Sequence, residues 1–185
     1  MPSFRTTRQV RHTPQEMFDL VADVEKYPEF LPLCEGLKVR RRAASGEGVE
    51  TLVAEMRVGY GRINEAFTSR VTLDRTRLRI LVEYVDGPFS YLENRWTFRP
   101  DPAGRPDGAG CTVEFYIAYE FKSFALGLLM GAVFDKAFRK FTQAFEERAD
   151  AIYGRAPASP RTASSSNASA SSTAASRTAP RPRSP

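Results

Sequence analysis

Few residues of this 185-residue chain have the type and placement to do chemistry. His12 is the sole histidine. It stands beside the start of the first helical pattern among charged neighbours, and reads as a surface or capping residue rather than a general base. Cys34 and Cys111 lie far apart without C-x-x-C spacing, which indicates neither a disulfide framework nor a zinc site. Neither has an obvious histidine partner, so a Cys–His nucleophile is not indicated. The chain shows no phosphate loop, nucleophile elbow, dinucleotide fingerprint or His-rich metal spacing. The spacing of its 22 acidic residues singles out no acid/base pair. What remains is two polar residues inside apolar phases: Glu65 between Ile63 and Phe67, and Asn94 between Leu92 and Trp96. In an enclosed apolar space each is costly without a hydrogen-bond partner, and a ligand can supply one. Asn94 offers N–H donors to a carbonyl oxygen. Glu65 donates only when protonated, a state that burial favours. The alternative is a bulge or phase shift that turns either residue to water.

The elements that must position these residues follow from periodicity. Ser3 to Val10 reads as a strand. Thr13-Pro14-Gln15-Glu16 is a capping-box pattern with proline at the first helical position, and Met17, Phe18, Leu20 and Val21 give the short helix an apolar side. The segment Asp23 to Pro32 carries two prolines that limit it to one or two helical turns. From Leu37 to Phe121 the period is two. Leu52, Ala54, Met56 and Val58 share one phase; so do Ile63, Phe67, Val71 and Leu73, then Leu78, Ile80, Val82 and Tyr84. Leu92, Trp96 and Phe98 form the next set, and Val113, Phe115, Ile117, Tyr119 and Phe121 the last. Gly59-Tyr60-Gly61, Asp86-Gly87-Pro88 and the run Asp101 to Gly110 mark turns. These are antiparallel strands with one apolar face.

A single long helix is expected from about Ser123 to Tyr153, with Leu126, Met130, Phe134, Ala137, Phe141, Phe145, Ala149 and Ile152 along one stripe and Gly154 as its stop. Its first half, Phe124 to Phe134, is apolar around most of its circumference, more than a one-sided sheet can cover. The fold class is therefore α+β. Phe67, Tyr84, Trp96, Phe115, Phe134, Phe138 and Phe141 should face the space between helix and sheet, either lining a cavity or filling it with one another.

Charge narrows the partners. The formal net charge is +5, but residues 1–154 hold all 22 acids and 22 of the 27 bases, which balance. The excess belongs to Arg155, Arg161, Arg177, Arg181 and Arg183. Residues 155–185 contain no aromatic, acid, Leu, Ile or Val, so this second segment is expected to be a disordered tail beside a folded domain of residues 1–154. The longest uncharged run in 1–154, Ser123 to Phe134, has 12 residues, well short of the roughly 20 that span a bilayer. No secretory h-region follows Arg5, Arg8 and Arg11. A reducing, cytoplasmic setting is the expectation.

The segment Asp23-Val24-Glu25-Lys26-Tyr27-Pro28-Glu29-Phe30-Leu31-Pro32-Leu33-Cys34 closely resembles the signature of the coenzyme Q-binding START-like family. Gly87-Pro88-Phe89 with Leu92 and Trp96-Thr97-Phe98 resembles it too, as do Val133-Phe134-Asp135, Ala144 to Ala149 and Tyr153-Gly154. The resemblance covers about residues 3–154, within the wider superfamily of polyketide cyclases and lipid-transfer proteins. It implies a START-like helix-grip fold, a curved antiparallel sheet wrapped around a long C-terminal helix, with a tunnel between them. It implies a non-catalytic chaperone for ubiquinone or a similar polyprenyl lipid, with no cofactor or metal. The quinone is then the bound ligand, and the protein is peripheral at the inner face of the respiratory membrane. Relatives described as ribosome-associated toxins share the Tyr-Pro-Glu-Phe-Leu-Pro segment, so the large ribosomal subunit is the alternative partner, with a cyclase-like enzyme third. Carried onto this chain, the tunnel lining comprises Phe30, Leu31, Phe67, Phe89, Leu92, Trp96, Phe115, Met130 and Phe134; with Glu65 and Asn94, the two polar residues that strand phase singles out, these form the expected ligand site. Phe124, Leu126, Leu128 and Leu129 are expected to form a membrane-facing gate.

Overall fold

The computed structural model describes residues 1–103 and 110–154; the expected tail, 155–185, lies outside the described residues. The chain begins with strand β1 (Ser3–Val10), followed by helix α1 (Pro14–Ala22). The Thr13 hydroxyl accepts from the Glu16 amide at 3.1 Å, and the Glu16 carboxylate accepts from the Thr13 amide at 2.9 Å. The capping box satisfies two helix-end donors reciprocally. Met17, Phe18, Leu20 and Val21 are buried. A 3-10 turn over Val24–Glu29 contains Pro28, whose missing N–H keeps it short. The turn ends at Leu33, held at a φ of 67°, a left-handed conformation that swings the chain straight into the sheet.

Six strands follow: β2 (Cys34–Gly46), β3 (Val49–Tyr60), β4 (Ile63–Asp74), β5 (Arg79–Asp86), β6 (Phe89–Pro100) and β7 (Cys111–Phe121). With β1 they form one antiparallel sheet in the order β1-β7-β6-β5-β4-β3-β2. From β2 to β7 each strand pairs antiparallel with the next, and β1 closes on β7 with Phe4 opposite Ile117. Bulges at Cys34/Gly36, Val39/Arg41 and Ala44/Gly46 break the register of edge strand β2, and another lies at Thr68/Ser69. Each adds local twist and bend, which helps the sheet curve.

Two details differ from the periodicity reading. Strand β2 begins at Cys34 rather than at Leu37. Leu78 lies in a turn, at a φ of 51°, because the Asp74 carboxylate accepts from the Arg77 amide at 2.9 Å and tightens the β4–β5 connection.

Helix α2 (Phe124–Tyr153) has Ser123 as its N-cap and Gly154 beyond its end at a φ of 84°. Its 30 residues span about 45 Å, enough to cross the concave face. Met130, Phe134, Ala137, Phe138, Thr142, Phe145 and Ala149 are buried along it. Ile152, placed on the buried stripe by its spacing, is exposed, because the helix has passed the sheet there and meets α1 instead. No helix among the described residues is long and apolar enough to cross a membrane.

Candidate ligand-binding cavity

Register stacks the inward side chains of the sheet into rows. Leu73, Ile80, Trp96 and Phe115 form one row across β4 to β7; Val71, Val82, Asn94 and Ile117 form the next. Against them α2 sets Phe134, Phe138, Phe141 and Phe145. Between the layers lies a cavity of about 100 Å³. The 3-10 turn supplies Val24 and Tyr27, with Leu31 just beyond it, to cover one end.

The cavity is lined by aromatic and aliphatic side chains with three polar interruptions: Tyr27, Ser69 and Asn94. The Tyr27 hydroxyl donates to the Val21 carbonyl, and burial pushes its phenol well above the ordinary tyrosine range. Asn94 is 9% exposed. Its Oδ1 accepts from the Trp96 indole N–H at 2.8 Å, and its Nδ2 donates to the Tyr116 carbonyl at 2.9 Å. A primary amide nitrogen carries two N–H groups, so this contact uses one of them. Ser69 is buried beside the cavity. It shares the β4 phase of Phe67 and Val71, the same kind of interruption as Glu65 and Asn94, and so was legible but missed.

The structure distributes the expected ligand residues over two spaces. Leu31, Phe67, Leu92, Asn94, Trp96, Phe115 and Phe134 line the main cavity. Glu65, Phe67, Phe89, Met130 and Phe134 line a smaller void of about 10 Å³ beneath the start of α2. Phe67 and Phe134 belong to both and stand between them. Phe89 meets Phe67 edge-on at 5.3 Å and Phe134 at 6.1 Å, and stacks on Phe121 at 4.7 Å. This aromatic plug closes the cavity towards the helix start. Phe30 lines neither space; it packs edge-on against Tyr27 and Phe145, with the Arg148 guanidinium 5.3 Å over its ring.

The other candidates for chemistry stand apart from the cavity. His12 is not a surface residue: it is 4% exposed, and its Nε2 lies 2.7 Å from Asp150 Oδ1. It sits at the junction of β1 and α1, where the end of α2 covers it. Cys34 and Cys111 are free and buried. Burial pushes the Cys34 thiol up to about 11 and that of Cys111 up to about 12, so both are neutral near pH 7. Of the expected gate, Phe124, Leu128 and Leu129 are exposed and Leu126 is half-buried. A larger hollow of about 620 Å³ lies over Tyr116 on the outer face of the sheet. It is open, and its charges balance: Arg5, Arg79 and Arg95 against Asp74, Glu93 and Glu114.

This architecture has counterparts of known name. The chain is 35% identical over 142 residues to the coenzyme Q-binding protein COQ10 homolog B, mitochondrial, of Xenopus laevis, covering 76% of this chain and 55% of that protein. It is 33% identical over 153 residues to the ribosome association toxin RatA of Escherichia coli K12, covering 83% of this chain and 90% of that one. The chain therefore spans about half the length of the frog protein and nearly all of the bacterial one. A START superfamily protein of Mycobacterium smegmatis shares the fold, with a TM-score of 0.66 at 17% identity over 81% of this chain and 98% of that one. Residues 10–146 match the profile of the polyketide cyclase / dehydrase and lipid transport family, and the chain belongs to that family.

Proposed function

We propose that the chain binds a polyprenyl quinone in the space between sheet and helix and carries it without turnover. The observation behind this reading is the chemistry of the cavity lining. It is apolar apart from Tyr27, Ser69 and Asn94, and Tyr27 alone among these residues can titrate. A main cavity without an acid, base or nucleophile in a usable state favours binding over catalysis; the smaller void adds one carboxylate, Glu65, with no histidine or cysteine in its lining to pair with it.

A quinone ring presents carbonyl oxygens on opposite sides. The second N–H of Asn94 on β6 and the hydroxyl of Ser69 on β4 are the donors for them. The two strands are two spacings apart, about 10 Å, a suitable span for a ring held by its two ends. The cavity is smaller than the roughly 300–1,000 Å³ of an ordinary ligand pocket. Uptake therefore requires the Phe67–Phe89–Phe134 plug to part, merging the two voids beneath α2. Similarity to a coenzyme Q-binding protein supports the choice of ligand.

The test is extraction of the purified protein with organic solvent and identification of its lipid by mass spectrometry, alongside uptake from quinone-loaded liposomes. Protein that carries no quinone and takes none up overturns the reading. Likeness to a ribosome association toxin over 90% of its length favours a second reading. That reading demands co-sedimentation with the large ribosomal subunit that weakens steeply as salt rises.

A further inference from the structure

We propose that the outward face at the start of α2 is a docking surface for an anionic phospholipid bilayer, which rests on the quinone-carrier reading and names where the carrier meets its membrane. Phe124 is 81% exposed, Leu128 69% and Leu129 61%. They lie within two turns of one helix, and no other stretch of the described chain exposes three large apolar side chains so close together. Beside them, an open groove of about 390 Å³ runs between α2 and the β3–β4 turn. Pro32, Leu33, Tyr60 and Val133 line it, and its only charged residues are Lys136 and Lys140. The nearby acid on the same helix, Asp135, is paired with Arg139 at 3.1 Å.

This distribution is complementary to a lipid–water interface. An interfacial helix buries its apolar face about 5–10 Å into the headgroup and acyl boundary. Lys136 lies seven residues beyond Leu129, or about 10 Å along the axis, and Lys140 about 16 Å. A helix inclined with its first turns in the acyl layer therefore holds both ammonium groups at the level of the phosphates, with their aliphatic stems along the groove. The mouth of the lipid path lies under the same turns: Met130 and Phe134 on the inner side of α2 line the small void that Phe89 and Phe67 close. Gly127 and Gly131 each cost the helix roughly 0.5–1 kcal/mol relative to Ala. No heavy atom comes within 4 Å of a Cβ built at Gly131, so packing does not require glycine there, and the segment is built to loosen.

The experiment is flotation of the full chain with quinone-free phosphatidylcholine vesicles, with and without added phosphatidylglycerol. Wild type should float with the anionic vesicles and be released by salt. Leu128→Ser/Leu129→Ser should abolish flotation. Lys136→Gln/Lys140→Gln should weaken it roughly twenty-five-fold, each cation near an anionic surface weighing about fivefold. The five tail arginines are common to all variants and cancel from the comparison. All four positions are exposed, so unchanged circular dichroism and melting temperature are expected.

Three outcomes overturn the proposal: no flotation of wild type, flotation untouched by both double variants, or a leucine variant that converts a dimer to a monomer while vesicle binding is absent throughout. The last assigns the face to a second copy of the chain. Because the vesicles contain no quinone, the result is independent of the ligand. Quinone retained by a protein that does not float leaves the carrier reading standing without this docking face. Flotation by a protein that carries no quinone keeps the face and removes that ligand.

Discussion

The indole N–H of Trp96 donates to Oδ1 of Asn94, two residues earlier on the same face of β6, at 2.8 Å. Trp96 also meets Phe115 and Phe145 edge-on, at 4.6 and 5.0 Å between ring centres. Asn94 is thus at once a structural anchor for the largest core side chain and a polar group on the cavity wall. A buried donor needs a partner; here a second polar side chain supplies it, and one amide N–H is left over for something else.

Asn94→Leu should remove the acceptor and strand the indole N–H in an apolar wall. An unsatisfied buried donor costs about 1–3 kcal/mol, readable as a lower urea midpoint. The double substitution Asn94→Leu/Trp96→Phe removes the orphaned donor, and should recover part of that loss beyond what additivity of the single variants allows. Strict additivity would show that the hydrogen bond contributes nothing.

Ala54→Leu tests the cavity as a ligand seat. Ala54 is buried on the cavity wall, opposite Ser69 in the register. The added side chain grows into the roughly 100 Å³ of open space, so the melting temperature should hold or rise while quinone uptake from liposomes falls sharply. Wild-type uptake by a well-folded variant would move the ligand elsewhere.

Gly87 carries the turn between β5 and β6 at a φ of 133°, and a Cβ there would meet Phe67 Cβ at 2.7 Å and the Ala66 carbonyl at 2.9 Å. Its carbonyl accepts from the Tyr84 hydroxyl at 2.6 Å and from Lys122 Nζ at 2.9 Å. Gly87→Ala should therefore cost about 1–3 kcal/mol from the backbone alone and displace Phe67 within the plug. Thermal unfolding reads the first effect. Changed near-ultraviolet dichroism in the folded state reads the second.

The buried thiols set an alkaline limit. Unfolded cysteines ionise near pH 8.5, whereas Cys34 and Cys111 hold their protons to about 11 and 12. Above about pH 8.5 the unfolded state sheds protons that the folded state keeps, so their contribution is complete below that pH and is lost as pH rises towards 11–12. The phenol of Tyr27, also raised by burial, acts in the same direction above about pH 10. Urea midpoints should be flat through neutral pH and decline in alkali. Cys34→Ser/Cys111→Ser should flatten that decline, and the thiols of the native protein should react with iodoacetamide only as fast as it opens.

Arg148 fastens the 3-10 turn to α2: its Nη2 donates to Glu29 Oε2 at 2.6 Å, and its guanidinium lies over Phe30. Hydrogen bonds from Arg148 and Lys26 hold the Glu29 carboxyl below its usual range, so the tie persists until pH falls through that lowered value. Arg148→Ala should speed amide exchange at Phe30 and Leu31, whose N–H groups donate to the Tyr27 carbonyl, and leave the central strands protected. Unchanged exchange at those two amides would show that aromatic packing against Phe145 holds the turn by itself.

How much of this could be read from the chain depends on the range of the interaction. Alternation and helical spacing are local, so the strands, the capping box at Thr13 and Glu16 and the full span of α2 were legible from residue types, and three separated motifs identified the family. Phase offered Asn94 as an inward residue with a bulge as the alternative, and its register opposite Val82 and Ile117 decides for the inner face. What the phase could not give is the partner. The bond to Trp96, the bulge beside Ser69 and the burial of His12 under Asp150, 138 residues away, come from segments that meet only when the sheet curves and α2 crosses it. The same holds for the cavity. Whether Phe67, Phe89 and Phe134 fill a core or wall off a chamber depends on ångström-scale offsets between the two layers, which close packing decides and residue type does not.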